Sequence, residues 1–168
     1  QVYHPEVTAY EVFDQKGKFL AVYYADFHPR EGKRGGAWMN NFQEQYMLGK
    51  KNIRPHVVNV MNFTRPVNIE AEGENFTGRT KPALFSYDEV ETFLHEFGHG
   101  LHGMLTQCQY AAQNGTNVPR DFVELPSQFN ENFLGEKEFL DTFAKHYEDE
   151  YNARFTANKA MAVGAPRK

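Results

Sequence analysis

Residues 93–103, FLHEFGHGLHG, constrain this chain more than any other stretch. Phe93, Leu94, Phe97, Leu101, Met104 and Leu105 recur at helical spacing. Gly98, Gly100 and Gly103 interrupt them, each costing about 1 kcal/mol relative to alanine in a helix interior. A helix built here must recover that cost, and it must also place three histidines and a glutamate.

The start of the helix is well marked. Ser86 followed by Glu89 is a capping-box pattern just ahead of the apolar run, so the helix is expected to span about 86–106. On a wheel turning about 100° per residue with His95 at zero, His99 falls near 40°, Glu91 near −40°, Asp88 near 20°, His102 near −20° and Glu96 near 100°. Val90, Phe93, Leu94, Phe97, Leu101, Met104 and Leu105 fall between about 160° and 280°. One face is therefore apolar and the other carries the ionisable groups. The three glycines fall on the borders, near −60°, 140° and 80°. Small residues there let a neighbouring helix approach closely.

His95 and His99 stand one turn apart, about 6 Å along the axis, so both imidazoles can reach one tetrahedral ion. Glu96 lies beside them, able to reach a metal-bound water without ligating the metal. His-Glu-x-x-His thus reads as a zinc hydrolase helix. A catalytic zinc takes three protein ligands and a water. His102 shares the face but lies about 10 Å along the axis from His95, so it lines the cleft or bonds a neighbour. The third ligand is then a carboxylate from a second helix, where DFVELPSQFNEN at 121–132 offers Glu124 and Glu131. Asp121 with Glu124 three residues later is also a capping-box pattern, which gives Glu124 a purely structural alternative.

Upstream, VTAYEVF at 7–13 and FLAVYYADF at 19–27 read as strands joined by a DQKG turn, and HVVNVMNF at 56–63 as a third. Residues around 38–48 read as a short helix, PREGKRGGAW at 29–38 and residues 64–82 as loops, 113–119 as a loop, and 122–134 and 137–152 as helices. The tail MAVGAPRK has no periodicity. Strands precede helices, so the class is α+β.

Composition excludes some functions. The 168 residues carry a net charge of −4 without a clustered basic face, so nucleic acid is not an expected partner. No apolar run approaches the roughly 18 residues of a membrane span, and QVYHPEVTAY has no basic-then-apolar leader pattern. Cys108 is the single cysteine, so no intrachain disulfide forms. The sequons at Asn62, Asn75 and Asn114 are read as chance triplets.

DEVETFLHEFGHGLHGML followed by RDFVELPSQFNENF resembles the thimet oligopeptidase family of zinc peptidases, in particular its bacterial dipeptidyl carboxypeptidases. GKRGGAW and VVNVMNF resemble further segments of that family, so the likeness covers most of 1–147. The resemblance implies His95, His99 and Glu124 as ligands of one Zn2+ and Glu96 as general base. It implies hydrolysis of short peptides, with release of C-terminal dipeptides, and a cytoplasmic location, a periplasmic one being left open. It also implies a fold in which a small N-terminal antiparallel sheet precedes a helical zincin-type core. Residues 1–168 would then be part of a catalytic domain, about 1–82 strand-rich and about 84–152 helical and metal-binding. Family members are several times longer, with transition-state tyrosines and a histidine downstream of the glutamate ligand. The remainder of such a protein is thus an expected partner, and a truncated zinc-binding piece without turnover is the alternative. Glu91 or Asp88 would accept the free N–H of His95. Both also suit the first turns of a helix as acidic residues favoured by its dipole. HVVNVMNF is read as a core strand, or as one that pairs with an extended substrate.

Overall fold

The computed structural model describes residues 2–68 and 80–146. Compactness divides them into two units, one formed by residues 2–65 and 85–135, the other by residues 66–68, 80–84 and 136–146.

In the first unit, β1 (Thr8–Phe13) and β2 (Phe19–Asp26) form the expected antiparallel hairpin. Its turn is held by Asp14 Oδ1, which accepts from the amides of Lys16 and Lys18 at 2.8 Å each, and Gly17 supplies the positive φ. β6 (His56–Val60) lies parallel to β2, so the sheet is mixed and not antiparallel as expected. Residues 38–48 are not helical. They form β3 (Trp38–Gln43), antiparallel to β6, and β4 (Tyr46–Leu48), which turns through Gly49 into β5 (Lys51–Ile53). Pairing with β6 overrides a weak local preference, since Asn40 and Asn41 favour no helix and nothing caps one. The sheet order is β1-β2-β6-β3. β6 is therefore an inner strand with no free edge for a substrate, and the edge strands are β1 and β3.

Helix α1 (Tyr87–Leu105) begins at Ser86 with both capping-box bonds made, Ser86 Oγ to the Glu89 amide at 3.2 Å and the Glu89 carboxylate to the Ser86 amide at 2.8 Å. Its apolar stripe packs on the sheet. Ala21, Tyr23, Ala25, Val57 and Met104 form a buried cluster, with Phe97, Leu101 and Met39 against it. Phe97 stacks on Phe93 at 5.6 Å and meets the edge of Tyr23 at 5.5 Å. Leu105, at the limit of the stripe, is exposed. Arg54 ends the helix by donating to the carbonyls of Met104 at 2.7 Å and Thr106 at 3.2 Å, groups left free by the last turn.

Beyond α1, residues 122–134 are not one helix. α2 (Arg120–Val123) and α3 (Leu125–Glu131) flank a break at Glu124, and a 3-10 turn covers Asn132–Gly135. Pro126 has no amide to donate, so α2 cannot run on into α3.

The basic loop after β2 is folded around Asp26. Its carboxylate accepts from Arg30 at 2.5 and 2.8 Å, from Lys33 at 2.9 Å and from Tyr3 at 2.6 Å. Asn62 and Asn114 use their side-chain amides on Arg34 and Gly36 carbonyls and on the Gln45 carbonyl respectively. Asn75 lies outside the described residues.

In the second unit, β7 (Val67–Asn68) pairs antiparallel with β8 (Thr80–Lys81), within a stretch read as loop from sequence. α4 (Lys137–Phe143) is shorter than the helix expected over 137–152: Ala144 caps it and 144–146 are not helical, while residues 147–168 lie outside the described residues.

Candidate metal centre

One face of α1 presents His95, Glu96 and His99, and the break before α3 points Glu124 back at them. Glu124 Oε2 lies 3.2 Å from His95 Nε2 and 3.1 Å from His99 Nε2. Donor atoms of the three residues all lie within 4.8 Å of one another. A tetrahedral zinc with bonds of about 2.0–2.1 Å sets its ligand atoms about 3.3 Å apart. Each nitrogen therefore stands close to that spacing from the shared oxygen, and the chemistry of the donor set fits the ion.

The ionisation states suit the same task. Burial holds His99 below its ordinary value, favouring the neutral imidazole that ligates metals. The Ser127 hydroxyl, donating to Glu124 Oε2 at 2.8 Å, holds that carboxyl below its ordinary value. Burial raises Glu96, against the pull of His95 and of the Met39 backbone amide. A carboxylate raised in this way is a better proton acceptor. Glu96, His99 and Glu124 share a cavity of about 230 Å3 with Trp38, Met39, Thr116 and Val123.

Glu124 and Glu131, which spacing alone left as alternatives, both meet His95. Glu131 Oε1 lies 2.5 Å from His95 Nδ1. That bond fixes the ring and turns Nε2 towards Glu124 and His99. Two turns of helix separate the carboxylates, enough for one at each nitrogen of a single imidazole. Glu91 and Asp88 are exposed, and the oxygen at His95 Nδ1 is Glu131's, because α3 lies across that nitrogen. The capping role open to Glu124 is not taken: α2 starts from Pro119 with no side-chain cap. His102 stays outside the cluster, 6.2 Å from the Phe122 ring, and burial holds it below its ordinary value.

Gly98 has the expected role. A Cβ there would stand 2.7 Å from Ser127 Cα and 2.8 Å from the Pro126 carbonyl, so its absence lets α3 in. Gly100 and Gly103 face the other way, towards Asn59 and towards Met39 and Val57 of the sheet.

Ser127, the Glu131 bond to His95, and Trp38 and Met39 of β3 were not found from sequence. Ser127, three residues after Glu124 across a proline, has a recognisable spacing for a bond back to it. The β3 residues were hidden by the reading of 38–48 as helix.

The sequence model of peptidase family M3 matches residues 1–162. Dipeptidyl carboxypeptidase of Escherichia coli (strain K12) is 46% identical over 147 residues, covering 88% of this chain and 20% of that protein. Oligopeptidase A of Salmonella typhimurium is 44% identical over 149 residues, again 88% of this chain and 20% of the relative. The thimet-like oligopeptidase of Dictyostelium discoideum is 38% identical over 154 residues, 89% and 21%. The chain spans about a fifth of the length of these relatives.

Proposed function

The chain belongs to peptidase family M3, and from that premise we propose that it carries the zinc centre and general base of a peptidase acting on short peptides. His95, His99 and Glu124 hold one Zn2+ and Glu96 is the base. The observation that supports this most is one carboxylate oxygen of Glu124 standing 3.1–3.2 Å from both imidazoles, with Glu96 in the same cavity. When bound, zinc lowers the pKa of a coordinated water towards neutrality and polarises a carbonyl. A Glu96 carboxylate oxygen takes the proton of the attacking water and delivers it to the leaving amine. Glu131 keeps the His95 ring oriented through Nδ1, and Ser127 keeps Glu124 ionised and aimed.

The open side of edge strand β3, whose Trp38 and Met39 line the cavity, suits an extended peptide lying beside Glu96. Release of a C-terminal dipeptide is the narrower reading, supported by a relative named for that action.

The test is zinc stoichiometry together with cleavage of a blocked peptide panel by this chain. One zinc per chain, lost in His95→Ala and in Glu124→Ala, is expected. Cleavage is expected to disappear in Glu96→Gln while zinc stays bound; cleavage that survives removes Glu96 from its role. Chelation is expected to lower the Tm. Zinc at about 1,000 times its Kd contributes about 4 kcal/mol, or on the order of 10 °C for a chain of this size.

A second reading, zinc binding without turnover, is favoured by the exposed Phe122, Leu125, Phe129 and Phe133. Such a surface fits packing against further protein. Turnover by a full-length relative with none by zinc-loaded chain selects it.

A further inference from the structure

The glycines of α1 have a second consequence. The Leu94 carbonyl accepts a bond from Asn130 Nδ2 at 2.6 Å, and the Glu96 carbonyl accepts one from Asn59 Nδ2 at 2.7 Å. In an α-helix these carbonyls already accept from the amides four residues on, which belong to Gly98 and Gly100. At each glycine, the missing side chain is what admits the asparagine. A Cβ on Gly98 would lie 3.1 Å from Asn130 Cβ, and one on Gly100 would lie 3.2 Å from Asn59 Oδ1.

The two contacts come from different neighbours, Asn130 on α3 and Asn59 on β6. Residues 94 and 96 are about 200° apart around the helix, so the amides grip it from opposite sides at the level of His95. Asn59 is fully buried, and its Oδ1 accepts from the Tyr23 hydroxyl at 2.8 Å, which commits its amino group to the helix.

We propose that Asn59 and Asn130 are positioning residues: a two-sided clamp that fixes the rotation of α1 and with it the ring nitrogens of His95 and His99. The inference rests on the reading of His95, His99 and Glu124 as metal ligands. An imidazole nitrogen lies about 6 Å from the helix axis, so a rotation of about 10° displaces it by about 1 Å. A preorganised site tolerates about 0.5 Å. Apolar packing alone lets a helix adjust by that much; two directional bonds on opposite sides do not.

The test uses this chain with Zn2+ and Co2+ as probes. Zinc affinity is measured by competition with a chelator, ligand geometry by the visible spectrum of bound cobalt, and folding by metal-free thermal unfolding. Asn130→Ala and Gly100→Ala, both expected to fold, should each weaken zinc about tenfold and shift the cobalt bands. Asn59→Ala should do the same, and adding Gly100→Ala to it should change affinity less than twofold, since the only close neighbour of the new Cβ is gone. Should Asn59→Ala not fold, the other two variants decide the matter. Folded variants with the parent's cobalt spectrum and zinc affinity within twofold overturn the clamp, as does full additivity of the Gly100 and Asn59 changes. A parent chain that binds no zinc, or keeps it in His95→Ala, overturns the ligand reading, and the clamp with it.

Discussion

Gly98→Ala separates fold stability from metal binding in a way the structure makes quantitative. The new Cβ would stand 2.7 Å from Ser127 Cα, 2.8 Å from the Pro126 carbonyl oxygen and 3.1 Å from Asn130 Cβ. Carbon atoms pack at about 3.5–4.0 Å, so α1 and α3 must part by about 1 Å at this point. The first two obstacles are backbone, so no side chain can swing aside to absorb the change. Overpacking of this kind costs about 1–3 kcal/mol, and alanine returns about 1 kcal/mol of helix propensity. The net loss is about 1 kcal/mol, a Tm decrease of roughly 2–4 °C for a chain of this size. The effect on the metal is much larger. Glu124 directly precedes α3 and moves with it, and about 1 Å takes its oxygen off the 3.1–3.2 Å spacing to both imidazoles. Zinc affinity is expected to fall by about 10- to 100-fold. Chelator competition and metal-free thermal unfolding, run on the same preparation, give both numbers. Gly135→Ala, where a Cβ meets nothing within 4 Å, is the control and should bind zinc as the parent does. Gly98→Ala with zinc affinity within twofold of the parent would refute the argument that this glycine seats the third ligand.

Two further perturbations test the scaffold. Arg54→Leu removes the donors at the Met104 and Thr106 carbonyls, and charged hydrogen bonds of this kind contribute about 1.5–3 kcal/mol; a Tm lower by roughly 5–10 °C is expected, and an unchanged Tm would show that α1 does not depend on this cap. Asp26 is pushed up by burial, but its bonds to Arg30, Tyr3 and Lys33 outweigh that and hold it well below its ordinary 3.8. Its stabilisation is therefore full above that value and is lost as pH falls through it towards the lower native one. Lys33→Met leaves the Asp26 charge short of a partner whose side chain is only 4% exposed, at a cost of about 3–5 kcal/mol near neutrality. That deficit should shrink in thermal melts below about pH 4, and a deficit constant from pH 3 to pH 7 would show that the charge of Asp26 is not involved.

Much of α1 was legible because its information is local. Ser86 and Glu89 state the start, the apolar spacing states the buried face, and His95, Glu96 and His99 bring the candidate site together within five residues. The hairpin of β1 and β2 was legible for the same reason, its Asp14–Gly17 turn being written between two β-rich runs. Residues 38–48 were not, because the strand character of Trp38–Gln43 comes from pairing with Val60 to His56, which is remote in sequence. The parallel pairing of β2 with β6 was hidden likewise; it depends on a crossover of nearly thirty residues with no helix to signal it.

The two carboxylates of the second helix show the limit most clearly. Spacing offered Glu124 and Glu131 as competitors for one role, since a helical wheel treats each residue as a single direction. In three dimensions an imidazole has two nitrogens, and carboxylates two turns apart take one each. What decides between rivalry and division of labour is how closely α3 approaches α1, and that approach is set by Gly98 against Ser127 and Pro126. The glycine that looks like a defect of the helix is thus what lets one of two candidate carboxylates take the proposed ligand position and the other hold the His95 ring. Its propensity cost of about 1 kcal/mol is small beside what a proposed metal ligand would contribute, so a glycine at this position of the helix is tolerated.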